Sequence, residues 1–325
     1  MVKEHFYFAV MAYNQEDVIT ETLNSFRYQI DRYGDGKSFV LIIVDDASKD
    51  NTVAVVQSWL KKYSFIFVDV VFKINDTNLG TVKNYQYILD SIPKECNFKI
   101  LAGDDILSSN NIFDSYKTLK VNNIKTHVKL LLKDGVVHYD EFQLMDYYDH
   151  YINNCGFEYN LKWMRRGCYL HTPSTIYLKQ TYTDAECSNL NKMFRLFEDD
   201  PTWYSMIKNI PNFNIEFSDI PIVLYRISDA SVSNGAPNTE FTKELKKLNE
   251  IYLKEEKGLW KIYYWFRIHD YFPKIFRINL YVDKIRRFCL AIKYRKNSSF
   301  DEFKTRIDKE IINEQNYYND YIKRE

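Results

Sequence analysis

The sequence predicts an α/β protein built on a mostly parallel, doubly wound sheet, with a helical region at its C-terminal end. Three observations carry this. Over the first 125 residues short β-rich runs alternate with helical patterns, the spacing that strand–helix–strand units produce. FVLIIV (Phe39–Val44) is a continuous apolar run bounded by polar residues, the strongest strand signal in the chain. Beyond about Val128 the alternation loosens.

Each element follows from its own pattern. HFYFAVMA (His5–Ala12) reads as a buried strand. Asp17 to Tyr28 carries Val18, Ile19, Leu23 and Phe26 at roughly helical spacing. Asn51 to Tyr63 reads as a helix, with Asp50 or Ser48 placed to cap its free N–H groups. Phe65–Ile74 is a third strand, Thr81–Ser91 a helix and Phe98–Ala102 a fourth strand. KLLLKDGVVHY suggests a hairpin turning at Asp134–Gly135. Helices are expected at Gln180–Leu196 and Pro201–Lys208, and a strand at Pro221–Tyr225. A composition change near Gly235–Pro237 ends the expected catalytic unit, residues 1–235, with a nucleotide-binding half (about 1–125) and an acceptor half (about 126–235). Residues 236–325 form the helical, basic and aromatic remainder.

Composition narrows the function. The 325 residues are 46% hydrophobic and 27% charged, with Lys plus Arg equal to Asp plus Glu at 44 each, so the global basic footprint of a nucleic-acid binder is absent. Five cysteines without a CxxC pair (Cys96, Cys155, Cys168, Cys187, Cys289) argue for a reducing compartment rather than a disulfide scaffold. The N-terminus has no signal-peptide pattern and no stretch is apolar enough to span a bilayer, so a cytoplasmic location is expected.

Three acidic clusters fall after strands or at a helix start: Asp45-Asp46, Asp104-Asp105 and Glu198-Asp199-Asp200. In doubly wound sheets ligands bind beyond the carboxyl ends of the strands. Adjacent carboxylates repel, so such pairs usually have something to bind, and a magnesium or manganese ion bridging a diphosphate suits their hard oxygens. Capped helices and solvated loops are the plainer use of any single cluster.

AVMAYNQEDVITETLNSFRYQI, VDDASKDNT, NDTNLGTVKN, ILAGDDIL, FEDDPTW and LYRISDASVSNG together, in this order over roughly residues 5–235, resemble the family-two inverting glycosyltransferases of GT-A fold. The resemblance implies transfer of a sugar, hexosyl or N-acetylhexosaminyl, from a nucleotide-sugar donor (a UDP-sugar) to a glycan or lipid-linked acceptor in surface polysaccharide synthesis. Residue by residue, it implies that Met11, Ala12 and Tyr13 line the base and ribose, and that Asp46 accepts from the base. Lys83 would lie near the base or diphosphate. Asp104 and Asp105 would hold ribose and a Mn2+ or Mg2+ ion, Asp199 would be the catalytic base, and Arg226 with the loop to Ser233 would close over the diphosphate. Two departures stand out: Ala102 occupies the first acidic position of the usual DxD, and Ser228 stands where many members carry histidine. Asp200 competes with Asp199 for the base; Pro201 sets the register in favour of Asp199. His171-Thr172-Pro173-Ser174 is a candidate for acceptor contact or a plain turn.

Residues 257–296 hold eleven Lys/Arg against two acids. Ile278, Tyr281, Val282, Ile285, Phe288, Cys289 and Ile292 recur at helical spacing, with Lys284, Arg287 and Lys293 largely outside that stripe. Such a helix suits an anionic membrane face; packing on the catalytic unit or a homodimer contact are its other uses.

Overall fold

A computed structural model describes residues 5–154, 156–166, 170–227, 239–268 and 278–323. The first half follows the expected alternation: β1 (His5–Ala12), α1 (Ile19–Tyr33), β2 (Ser38–Asp45), α2 (Thr52–Tyr63), β3 (Asp69–Ile74), α3 (Thr81–Ser91) and β4 (Asn97–Ala102). The four strands form one parallel sheet in the order β3-β2-β1-β4.

Side chains alternate across this sheet, and each face has its own core. Tyr7, Ala9, Val40, Ile42, Phe98 and Ile100 pack against Val82, Tyr85, Ile88 and Leu89 of α3. Phe6, Phe8, Val10, Leu41, Ile43 and Leu101 pack on the other face against Leu23 and Phe26 of α1 and Val56 and Trp59 of α2. Strands buried on both faces read as unbroken apolar runs, which is why Phe39–Val44 was so legible.

The second half adds β5 (Ile106–Leu107), α4 (Ile112–Ser115), β6 (Asn123–His127), β7 (Leu130–Lys133), β8 (Val136–His138), α5 (Glu141–Asn153), α6 (Phe157–Arg166), β9 (Thr175–Ile176), α7 (Lys179–Asp184), α8 (Cys187–Asn191), α9 (Asp199–Asn209), β10 (Asn214–Ser218) and β11 (Val223–Arg226). These strands make two small sheets, β10-β6-β9 and β5-β11-β7-β8. The β7–β8 hairpin turns at Asp134–Gly135, both at positive φ, as expected.

Two element expectations needed revision. Phe65–Phe67 is not strand: Ser64–Ile66 is a 3-10 turn, and β3 begins at Asp69 on the sheet edge with Phe65 largely exposed. The helical stretch expected over Gln180–Leu196 is two short helices and ends early: Glu186 takes a left-handed φ of 52° between α7 and α8, and α8 stops at Asn191.

The C-terminal region is helical: α10 (Thr239–Glu255), α11 (Gly258–Ile268), α12 (Ile278–Tyr294) and α13 (Ser298–Tyr317), ending in a π-helical turn, Tyr318–Ile322. Leu248, Tyr252 and Tyr264 enter the α3-side core. Leu290, Phe300, Phe303, Ile307 and Tyr317 pack with Leu130, Leu132, Val137 and Leu144. No helix among the described residues is long and apolar enough to cross a membrane.

Candidate active site at the strand ends

Strand register assembles the site. Ala12 pairs with Asp45 and Met11 with Ala102, so Tyr13, Asp46 and Gly103–Asp104 leave the sheet at one level. The ladder continues one bond further: Asp46 N–H donates to the Ala12 carbonyl (2.8 Å) and Gly103 N–H to the Met11 carbonyl (2.9 Å). Met11 is half-buried and Ala12 buried, while Tyr13 is 46% exposed. Gly103 lies so close to Gln15 and Ile19 that a Cβ there would collide with both.

Asp46 is buried and heavily engaged. Its Oδ1 accepts from the Asn75 side chain (3.0 Å) and Leu79 N–H (2.7 Å), and its Oδ2 from Gly80 N–H (2.9 Å). Asn75 also donates to the Asn84 side chain (2.7 Å), pinning α3 to the same loop. Gly80 is at φ 84°, and a Cβ there would lie 2.7 Å from the Arg195 carbonyl. Lys83 follows on the exposed side of α3.

Asp104 is partly exposed and Asp105 only 1% exposed. Burial raises the pKa of both carboxyls; each also feels nearby charge, Asp104's raising Asp105 while the Arg226 guanidinium pulls Asp104 down. Arg226 holds this turn from β11. Its N–H donates to Asp105 Oδ1 (3.1 Å), its Nε to the Asp104 carbonyl (2.9 Å), and its guanidinium pairs with Glu21 of α1. The Tyr318 hydroxyl donates to that same Glu21 (3.3 Å). Arg226 is thus turned toward the acid pair and α1. The loop expected to close with it, including Ser228 and Ser233, lies outside the described residues, as do Gly235–Pro237, Cys155 and Cys168.

The donor set fits a divalent cation of the magnesium or manganese kind. Asp105 Oδ2 is buried without a hydrogen-bond partner, and Asp104 presents a second hard oxygen ligand beside it. Among the described residues no three His, Cys, Asp or Glu side chains converge. Such ions commonly take one or two carboxylates, with water and substrate phosphate completing the shell.

Asp199 opens α9, its Oδ1 accepting from Asp200 N–H (2.8 Å). Burial raises the pKa of Asp199; Glu198 rises further, through burial and then the Asp199 charge. The segment before the motif is fixed by groups the sequence gave no sign of. Glu244 of α10 accepts from Arg195 N–H (2.5 Å) and Leu196 N–H (2.9 Å), and Arg195 reaches Glu240 (2.6 Å) and the Asn78 carbonyl (3.1 Å). Val82 N–H donates to the Arg195 carbonyl (3.0 Å). Arg195 therefore joins the segment before Glu198–Asp199 to the loop that Asp46 holds. Glu21, Asn75, Arg195 and Glu244 were missed because each acts through partners far away in the chain, which leave no local period.

Residues 7–91 match the family model described as Glycosyl transferase family 2. The fold is of the GT-A kind, and the N-terminal part of this chain carries the family 2 signature. No curated protein sequence matches the chain. Among solved structures it is similar to Staphylococcus aureus TarS residues 1–349 in complex with UDP-GlcNAc, at 15% identity and a TM-score of 0.56, over 98% of this chain and 92% of that one. The chain spans 44% of the longer TarS structure it matches, at 16% identity and a TM-score of 0.51 over 83% of its own length. It is also similar to the mannosyltransferase PcManGT from Pyrobaculum calidifontis in complex with GDP-Man and Mn2+, at 14% identity and a TM-score of 0.50, over 79% of this chain and 66% of that one.

Proposed function

We propose that this glycosyltransferase moves a hexosyl or N-acetylhexosaminyl group, with inversion, from a UDP-sugar to a hydroxyl of a glycan or lipid-linked glycan acceptor in surface polysaccharide biosynthesis. The observation that carries the reading is the assembly at one sheet end of Tyr13, the Asp46-held loop, the Asp104–Asp105 turn and, through Arg195, the Glu198–Asp199 motif. The nucleotides held by the similar structures support a nucleotide-sugar donor, and the Mn2+ in one supports a divalent cation.

In this reading Met11, Ala12 and Tyr13 line the base and ribose, with Tyr13 exposed enough to cover a ring. Asp46 fixes the base-side loop and offers its remaining acceptor position to the base. Asp104 and Asp105 hold ribose and a Mn2+ or Mg2+ ion, which when bound offsets the charge of the departing diphosphate. Arg226 and Lys83 add fixed positive charge there. Asp199 takes the proton of the acceptor hydroxyl. A carboxyl raised by burial is a stronger base while ionised, so activity falls as pH drops through that raised pKa.

Asp199→Asn tests the assignment: turnover drops at least about 10²-fold with donor affinity near wild type. A severe Asp200→Asn beside a mild Asp199→Asn moves the base by one residue. Chelator abolishes transfer and manganese restores it; full activity in chelator removes the cation from the reading.

In this reading the chain works peripherally at the cytoplasmic face, where it meets a lipid-linked acceptor. Supporting that, Ile285, Phe288 and Ile292 of α12 are 60–66% exposed, alongside exposed Leu259, Ile262 and Trp265 of α11. The side chains of Ile278, Tyr281 and Val282 lie outside the described residues.

A further inference from the structure

A buried lysine stands in the middle of β4, the strand at one end of the parallel sheet. Lys99 of β4 is 3% exposed, in a run otherwise apolar, FKILA. Lysine is almost never buried so completely without partners, because its charge is costly to desolvate. Its partners lie on the acceptor half. Lys99 Nζ donates to the carbonyls of Pro173 (2.5 Å) and Thr175 (3.2 Å).

Pro173 lies in the 3-10 turn Thr172–Ser174, which the His171-Thr172-Pro173-Ser174 motif builds, and Thr175 opens β9 directly after it. Three local bonds keep it folded: Ser174 N–H to the His171 carbonyl (3.0 Å), the Thr175 hydroxyl to the same carbonyl (2.8 Å), and His171 Nδ1 with Ser174 Oγ (3.2 Å). The His171 ring meets Tyr225 edge-on, with centroids 4.6 Å apart, and Tyr225 directly precedes Arg226. The turn is therefore braced from the two strands that end in Asp104–Asp105 and in Arg226.

Lys99 and Asp105 also act on each other through charge. Burial pushes the Lys99 ammonium down to about 7, opposed by Asp105; the Lys99 charge in turn pulls the buried Asp105 carboxyl down. One ammonium thus ties β4, the strand that runs into the acid pair, to the 171–175 turn.

We propose that Lys99 is a positioning residue that couples the donor-side turn Asp104–Asp105 to the acceptor-side turn at 171–175, so that occupation of the first stiffens the second. This rests on the donor reading above. Engagement of Asp104–Asp105 by a cation and diphosphate fixes the turn that follows β4 and, through Arg226 and the neighbouring Tyr225, the His171 ring. Lys99 carries that restraint from β4 to Pro173 and Thr175, and the acceptor turn is ordered when donor is present.

Hydrogen exchange on the full chain, with UDP and manganese as the probe, tests this without knowledge of the acceptor. In wild type, UDP–manganese slows exchange in peptides covering both 103–107 and 171–176, the latter by about fivefold, the low end of ordinary coupling between sites. In Lys99→Met the 103–107 protection remains and the 171–176 protection is lost. Thr175→Val, which unties the turn from His171 without touching a buried charge, loses it too and carries the test if Lys99→Met does not fold. Protection of 171–176 that persists in the folded variant, or is absent from wild type while 103–107 is protected, overturns the coupling. Absence of protection at 103–107 in wild type instead removes the donor reading, and this inference with it.

Discussion

Asp46 shows what a single carboxylate does in this site. A carboxylate has about four acceptor positions, and three are filled by Asn75, Leu79 and Gly80. Its first task is therefore to fold the loop that carries Gly80 into contact with Arg195. Hydrogen bonds to a charged group contribute roughly 1.5–3 kcal/mol each, so Asp46→Ala lowers the denaturation midpoint and weakens UDP binding together. UDP affinity lost at unchanged stability would show that Asp46 acts on the base alone. The acid pairs were legible because they sit where strand patterns end, and a strand end in this architecture is where ligands bind. The clasps on them were not legible. Arg226 meets Glu21 and Arg195 meets Asn78 across large separations in the chain, and side-chain pairing over such distances leaves no periodic trace. Lys99 was read only as part of a strand, since its carbonyl partners lie more than seventy residues away.

At the scale of elements, burial on both faces made β1, β2 and β4 readable to within a residue or two. The edge strand β3 was over-extended, since Phe65 and Val68 are apolar yet exposed beyond the sheet. The helix expected over Gln180–Leu196 fails because its polar groups serve tertiary bonds. Asn191 donates to Thr202 Oγ1 (2.8 Å), and the N–H groups of Arg195 and Leu196 go to Glu244 rather than to a helix. In α13, Glu314 is fully buried against the loop after β5, accepting from Ser109 N–H (3.0 Å) and its hydroxyl (2.7 Å). Burial raises its carboxyl to about 7, those hydrogen bonds opposing it. A raised folded pKa means stability present in full below the unfolded value near 4.5 and lost as pH rises through about 7. The size is on the order of 3 kcal/mol, at 1.36 kcal/mol per pKa unit. Thermal unfolding from pH 5 to 8 should therefore show a loss of stability that Glu314→Gln largely removes; an unchanged slope in that variant would assign the pH dependence elsewhere.

Across the whole molecule, the C-terminal helices are joined to both ends of the site. Helix α10 holds the segment before Asp199 through Glu244, and the chain end holds Glu21 through Tyr318. The basic residues expected to meet head groups have mostly other work. Arg286 pairs with Asp146, Lys293 with Asp149, and Arg287 lies over the Phe142 ring (4.3 Å), leaving Lys284 exposed. If the α11–α12 face meets lipid, apolar contact carries it and charge helps less than the sequence pattern implied. The protein should then co-sediment with anionic vesicles, and replacing Ile285, Phe288 and Ile292 by serine should abolish this while donor hydrolysis continues. A variant that binds vesicles as wild type does, or that only changes the oligomeric state, would assign the face to packing between copies.

Binding of a nucleotide sugar at the strand ends is the step on which transfer depends. A thermal-shift screen of UDP-, GDP- and other nucleotide sugars with manganese tests it most directly, since a ligand that binds only the folded state stabilises it by about 2.7 kcal/mol at a hundredfold excess over Kd. A UDP-sugar should raise the midpoint in wild type and in Asp199→Asn alike, and less in Asp46→Ala. No shift with any nucleotide sugar in the presence of manganese would contradict it.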